Sequence, residues 1–189
     1  FWALGPGRGR PAVNPDPNHT HADFAVWAGG KQIDFSADKY MSGLSTDVVH
    51  DETLSKYLHL HDGNGRVIHR HKPGLTLGEF FGSIGFGFAS EKEGEWCWYA
   101  LTKDKPFEQC ASGPMKLYVN GALVQGNPAD YGFTDVEDIL VTDALSESDV
   151  AYQLGLLSDD ACLYSRTCPE RGEPPTEHCI ADPEVPCTI

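Results

Sequence analysis

Apolar and polar positions alternate most clearly over His21-Ala-Asp-Phe-Ala-Val-Trp27 and again over Lys31-Gln-Ile-Asp-Phe35. Side chains two residues apart share one face of a strand. The two runs therefore predict a hairpin closed by Ala28-Gly29-Gly30, with Phe24, Val26, Ile33 and Phe35 facing inward. After a polar, irregular stretch over 36–55, Tyr57–His61 and Arg66–His71 predict a second hairpin around Asp62-Gly63-Asn64-Gly65, ended by Pro73-Gly74. Trp96–Leu101 reads as a strand, followed by a loop over 102–114. Lys116–Val119 and Ala122–Val124 form a hairpin through Asn120-Gly121, the preferred type I′ turn. Asp138–Thr142 is a last strand.

The period changes from two to 3.6 in two places. Thr76-Leu-Gly-Glu79 carries the capping-box pattern, in which the Thr side chain satisfies a helix amide and the Glu reaches back. The residues after it place Leu77, Phe80, Phe81 and Ile84 on one helical face, with Gly85 as the stop. Residues 146–158 predict a short amphipathic helix capped by Ser146 or Ser148. Hairpin, helix, hairpin, strand is the order of a β-grasp sheet, here with an extra leading hairpin. The expected fold is α+β and mainly β: a β-grasp-like sheet, one short packing helix, the extra N-terminal hairpin and a disulfide-rich C-terminal tail. Three regions follow. Residues 1–18, rich in Gly and Pro and without period, form an extended arm; 19–158 form the β-rich body; 159–189 form a Cys/Pro tail.

Composition narrows the function. The 189 residues include 40% hydrophobic and 22% charged residues, which suits a globular chain with a real core. The formal net charge of −14 lacks the Lys/Arg stripe that a phosphate backbone requires, so no nucleic-acid partner is expected. An acidic field attracts cations instead. No apolar run is long enough to span a bilayer. A chain that begins Phe1-Trp2-Ala3-Leu4 reads as processed, with an export signal removed upstream as the expectation.

Six cysteines are present: Cys97, Cys110, Cys162, Cys168, Cys179 and Cys187. An even number, four of them crowded into the tail, reads as a disulfide framework formed outside the cytoplasm. The rival is a four-cysteine zinc site, but the chain has no Cys-x-x-Cys pair. Sequential pairing, 97–110, 162–168 and 179–187, is the simplest of the fifteen connectivities.

The eight histidines carry the strongest chemical signal. Six form three His-x-His pairs: His19/His21, His59/His61 and His69/His71. Random placement yields roughly a third of one such pair by simple compositional arithmetic. On a strand each pair presents two imidazoles to one side, and neutral imidazole is a preferred ligand of copper(II), zinc(II) and nickel(II). A three-residue loop at Gly63-Asn64-Gly65 would pair Asp62 with Arg66, set His59 opposite His69, and put all four hairpin histidines on one face, with Leu58, Leu60 and Ile68 left for the core. A two-residue loop would split them between faces. His19/His21 either completes this site or reaches a neighbouring molecule. Asp23 and Asp62 are the carboxylates placed to support or supplement the histidines. The competing reading is a solvated or pH-responsive histidine patch. His50 and His178 lie in irregular segments and read as incidental.

Several sequence motifs, taken in order, carry a resemblance: HTHADFAVWAGGKQIDFS, YLHLHDGNGRVIHRHKPGLTLGEFFGSIGF, MKLYVNG and ACLYSRTCPERGEPPTEHC. The chain resembles an uncharacterised family of exported prokaryotic proteins, found among ultrasmall bacteria and some archaea. Its members share a His-x-His-x-Asp-Phe start, an H-x-H/H-x-H hairpin, a Thr-Leu-x-x-Phe-Phe helix and a Cys-Pro-Glu-Arg-Gly tail. The resemblance implies export and integrity of the histidine hairpin as a unit, and it implies no activity.

Three functions fit these features. The first is a secreted, non-catalytic metal binder, with copper(II) first on affinity in an oxidising compartment and zinc(II) next. The second is a metalloenzyme, with Asp23, Asp62 or Glu79 as base; no catalytic residue is singled out, and no Gly-x-Ser-x-Gly, His-Glu-x-x-His or P-loop motif is present. The third is an extracellular subunit that assembles into oligomers or filaments by adding its N-terminal arm to a neighbour's sheet edge, with metal at the contact.

Overall fold

The computed structural model describes residues 13–41, 53–101 and 113–174. Its elements follow the alternation closely. Strand β1 spans Thr20–Ala28 and turns through Gly29-Gly30, both at positive φ, into the two-residue β2, Lys31–Gln32. Next come β3 (Leu58–His59), β4 (Val67–Arg70) and helix α1 (Leu77–Ser83). Strands β5 (Phe86–Lys92) and β6 (Glu95–Ala100) form a two-stranded sheet of their own. The chain continues through β7 (Lys116–Val119), β8 (Ala122–Val124), β9 (Glu137–Thr142), α2 (Glu147–Leu154) and α3 (Ala161–Tyr164). The result is a mixed α+β fold dominated by strands.

The main sheet runs β3-β4-β1-β9-β7-β8, with β2 attached to β1. Its centre is the parallel pair β1 and β9, in register from Ala22 opposite Glu137 to Trp27 opposite Thr142. The expected leading hairpin is present, with Trp27 opposite Gln32 and Ala28 opposite Lys31, and its first strand is the centre of the sheet. The first seven residues of β1 are buried, on both faces, and only a central strand can be covered on both sides.

Each face of the sheet has its own cover. Even-numbered residues of β1 (Ala22, Phe24, Val26) join Leu58, Leu60, Ile68, Ile139 and Val141 in the larger core. Helix α1 seals that face with Leu77, Phe80, Phe81 and Ile84, each at most 1% exposed. Its start is the predicted capping box: the Glu79 amide donates to Thr76 Oγ1 at 3.3 Å and the Thr76 amide to Glu79 Oε2 at 2.7 Å. Glu79 is thus occupied at the helix start. The β5–β6 hairpin, of which the sequence indicated only the second strand, adds Phe86 and Trp98, whose rings stack at 4.5 Å.

On the opposite face α2, capped by Ser146, packs its Val150 with Ala25, Leu140 and Ala144. Helix α3 covers the other end of that same face. The tail was expected to be aperiodic and disulfide-stapled; its Cys162–Cys168 disulfide is present as expected, and Ala161 is fully buried. Four residues are too few to register as a helical period, which is why α3 escapes a sequence reading. Cys97 is also disulfide-bonded. Cys110, Cys179, Cys187, His50, His178 and residues 1–12 of the arm lie outside the described residues. Within the described residues, no helix is long and apolar enough to cross a membrane.

Candidate metal centre

The strand registers assemble the three His-x-His pairs into one group. Across β3 and β4, His59 stands opposite His69, and across β1 and β4, His21 stands opposite His69. Alternation then sends all six odd-numbered histidines to the face opposite α1. They are buried there, from 0% exposed at His69 to 9% at His19. Neighbouring rings touch: His61 to His69 at 3.9 Å between centroids, His19 to His71 at 4.0 Å, His19 to His21 at 4.5 Å and His21 to His69 at 4.8 Å. The expected one-face arrangement of the 57–71 hairpin is observed, and His19/His21 join it within the same molecule.

The turn that produces this register differs from the three-residue loop expected. Asp62 and Gly63 both take positive φ, 56° and 69°, and the Asn64 amide donates to the His61 carbonyl at 3.0 Å. Asn64 Oδ1 then accepts from the Arg66 amide at 3.0 Å and redirects the chain into β4. Gly65 is required at this second bend, since a Cβ there would lie 2.3 Å from the Phe35 carbonyl carbon. Two small turns in series preserve the His59–His69 register that a single loop was expected to set.

Hydrogen bonds at the rims fix the tautomers. His59 Nδ1 lies 2.9 Å from the Ser55 carbonyl and His61 Nδ1 lies 2.7 Å from Asp62 Oδ2. Both partners only accept, so both rings carry the proton on Nδ1 and the lone pair on Nε2. Ser165 Oγ donates to Asp135 Oδ1 at 2.6 Å and therefore accepts from His21 Nδ1 at 2.8 Å, which assigns the same tautomer to His21. His69 Nδ1 sits 3.1 Å from His61 Nε2 and donates to it. Four rings thus share the form whose Nε2 is the ligand atom, and three of them, His21, His59 and His61, are oriented by hydroxyl, carbonyl and carboxylate partners in the manner of metal-binding histidines. Burial, and then the imidazoles of His21, His61, His59 and His19, hold the His69 pKa well below its ordinary value. That ring is neutral at pH 7.

The two carboxylates singled out from sequence are used differently. Asp62 bonds His61 directly. Asp23 touches no histidine: its carboxylate accepts from Ser158 Oγ at 2.6 Å and from the amides of Asp160 and Ala161 at 2.9 Å each. Burial raises the Asp23 pKa above its ordinary value, while the bonds from Ser158, Ala161 and Asp160 pull it back. Asp23 is therefore the anchor of α3. That anchoring sets Tyr164 edge-on to His69 at 4.8 Å and brings the Tyr164 hydroxyl within 3.0 Å of Asn64 Nδ2.

Asp135, Ser165, Tyr164 and Ser55 were not anticipated. The loop before β9 clasps β1 at His21, where Asp135 Oδ1 accepts the His21 amide at 3.0 Å and the Val136 amide donates to the His21 carbonyl at 2.7 Å. The clasp holds Val136 at φ 61°, a conformation that a β-branched residue adopts only under constraint. The only sequence signal for the covering residues was the close Cys162–Cys168 spacing around Tyr164-Ser165.

One nitrogen from each of His19, His21 and His69 lies within 4.8 Å of the others. An ion bonded to nitrogen at about 2.0–2.1 Å requires separations no greater than about 4.2 Å, so small ring rotations close this set on a metal. The donors are all imidazoles and no free thiol belongs to the group, which suits borderline divalent ions over copper(I). Fold and site together define a strand-rich α+β protein with a buried histidine cluster compatible with metal binding. Comparison with known proteins yields no matching family model, curated protein or solved structure.

Proposed function

We propose that the protein is an exported, non-catalytic binder of transition-metal ions, with copper(II) as the preferred ion and zinc(II) as the alternative. The observation that carries this reading is the convergence of His19, His21 and His69 from two strands onto one buried point. Burying three imidazoles side by side removes them from water at a cost that a metal–ligand bond offsets. Outer partners on His21, His59 and His61 support the same reading, because a solvated histidine patch needs no tautomer control.

Export rests on the Cys162–Cys168 disulfide and on the resemblance to exported proteins. The β-grasp-like description is supported by the central β1–β9 pair, the α1 crossover and the β7–β8 hairpin. Assembly through the N-terminal arm is supported by the arm's Gly/Pro composition and the exposure of Val13. Sizing with and without chelator tests assembly: a metal-dependent oligomer is expected, and a monomer in both conditions removes that part.

The decisive experiment for the metal is elemental analysis of protein purified without chelator, repeated on His69→Ala and His59→Ala. Bound copper or zinc in the parent chain and reduced content in the variants is the expected result. Unchanged content in both variants sinks the proposal.

A further inference from the structure

We infer that the groove between the end of β1 and helix α2 receives residues 1–4, the apolar part of the N-terminal arm, from a second copy of this chain. This rests on the assembly part of the reading above and names its receiving surface.

The groove encloses about 490 Å³ between Trp27, Gly30, Leu145, Tyr152 and Gln153. Trp27 stands at the far end of β1 from His21, so the groove is separate from the histidines. Its rim is apolar. Leu145 is 86% exposed, the most of any large apolar side chain among the described residues, and Tyr152 is 64% exposed. Its floor is polar and unmet: Trp27 Nε1 and Gln153 Oε1 are both buried without a hydrogen-bond partner, on a Gln153 that is 4% exposed. A donor and an acceptor left unpaired inside a protein each cost free energy. An entering backbone supplies both counterparts, a carbonyl for the indole N–H and an amide for the Gln153 oxygen. Tyr152, edge-on to the Trp27 indole at 6.2 Å, is the wall that moves to admit it.

Composition selects the occupant. Residues 1–4, Phe-Trp-Ala-Leu, put three large apolar side chains in four positions, and Arg8 and Arg10 follow. No acidic residue precedes Asp16, in a chain whose net charge is −14. Among the described residues the groove is lined by Asp143 and Asp149 and by no basic side chain. An apolar segment with arginines behind it thus meets an apolar rim with carboxylates beside it. Docking by side chains also suits this segment better than strand addition, because Pro6 and Pro11 have no amide proton to give a ladder.

Reach favours a neighbour. The root of the arm is pinned at the start of β1, where Asn14 Nδ2 donates to the His19 carbonyl at 2.8 Å and to Asp135 Oδ2 at 3.1 Å. Trp27 lies seven residues beyond Thr20, about 23 Å along the strand. A Gly/Pro-rich spacer of eight residues, 5–12, has an average span of only about 16 Å. Filling its own groove would hold that spacer nearly taut, whereas a second copy can bring its groove to the arm.

The test is sedimentation of the full chain over a range of concentrations, with and without chelator, with bound metal measured in the same samples. The parent chain should self-associate. Trp2→Ser/Leu4→Ser in the arm and Leu145→Ser/Tyr152→Ser in the groove should each weaken association by roughly tenfold or more. Leu145 and Tyr152 are exposed, so circular dichroism should show the groove variant folded. Mixing the two variants should form heterodimers at concentrations where each alone is monomeric, because the intact arm of one meets the intact groove of the other. Parent-like association of either variant, or a mixture that stays monomeric, would overturn the groove as receiving site and leave assembly itself standing. A parent chain that is monomeric under every condition would overturn both. Bound metal should be equal in parent and variants, since the groove and His21 stand at opposite ends of β1, and the metal reading is thereby scored on its own.

Discussion

His21 faces His69 across the antiparallel β1–β4 ladder, with ring centroids 4.8 Å apart and the planes nearly perpendicular. Residues 48 positions apart in the chain are thereby made neighbours, and the sheet places a second strand of imidazoles beside the hairpin that carries the first four. What holds His21 in that position is a hydroxyl and a carboxylate from elsewhere in the chain.

Replacing Ser165 by Ala removes the hydroxyl that orients His21 while leaving every ligand in place. Loss of an orienting partner of this kind weakens metal binding by roughly 10–100-fold. Competition titration against a chelator of known affinity measures the change, and an unaltered affinity would show that the Asp135–Ser165–His21 chain is structural only.

Asp23→Ala should destabilise the fold by ~2–3 kcal/mol, because the amides of Asp160 and Ala161 lose a charged acceptor inside the protein. Urea denaturation reports the loss. Amide exchange should accelerate specifically over 160–165, and uniform exchange rates would argue against an anchoring role.

Acidification should destabilise the metal-free protein. The native His69 pKa lies well below 6.5, whereas the unfolded side chain returns to about that value. Above pH 6.5 neither state holds the proton, and the full stability is present. As pH falls through 6.5 the unfolded state takes up a proton that the native ring does not, so unfolding becomes easier toward lower pH. Denaturation midpoints measured in chelator between about pH 7.5 and 5.5 should decline, and His69→Gln should flatten the slope. A midpoint independent of pH in the parent chain contradicts a buried neutral His69.

Two glycines of one turn should respond differently to alanine. At Gly65 a Cβ meets the Phe35–Ser36 backbone within 2.4 Å, so Gly65→Ala forces the turn and the Phe35–Ser36 segment apart and costs on the order of 1–3 kcal/mol. At Gly63 the space is open and only the φ of 69° resists, a penalty of roughly 1–2 kcal/mol. Gly65→Ala should also reduce metal affinity, since its turn sets the His59–His69 register; metal titration of both variants distinguishes them.

Local pattern made much of this molecule legible. Alternation from Phe24 to Val26 and from Tyr57 to His71 marked strands and told which residues share a face, because a side-chain period of two is a property of the strand itself. Thr76 and Glu79 announced the helix start, and Asn120-Gly121 announced the β7–β8 turn, since capping and left-handed turns involve atoms only a few residues apart. The His-x-His spacing delivered the ligand type and the pairing within each strand for the same reason.

Only the tertiary structure decided which strands are neighbours. Nothing within residues 19–28 states that β1 is central, or that His21 will face His69 and not solvent or another molecule; burying Phe24 and Val26 against α1 and β9 on one side, and Ala25 against α2 on the other, settles it. The same holds for Asp23. In sequence it sits two residues from a histidine and on the same strand face, yet the amides of Asp160 and Ala161 claim it, and Asp135, more than a hundred positions away, takes the supporting role at His21. Side-chain periodicity encodes a face; the partner on that face is chosen by the burial of the whole core.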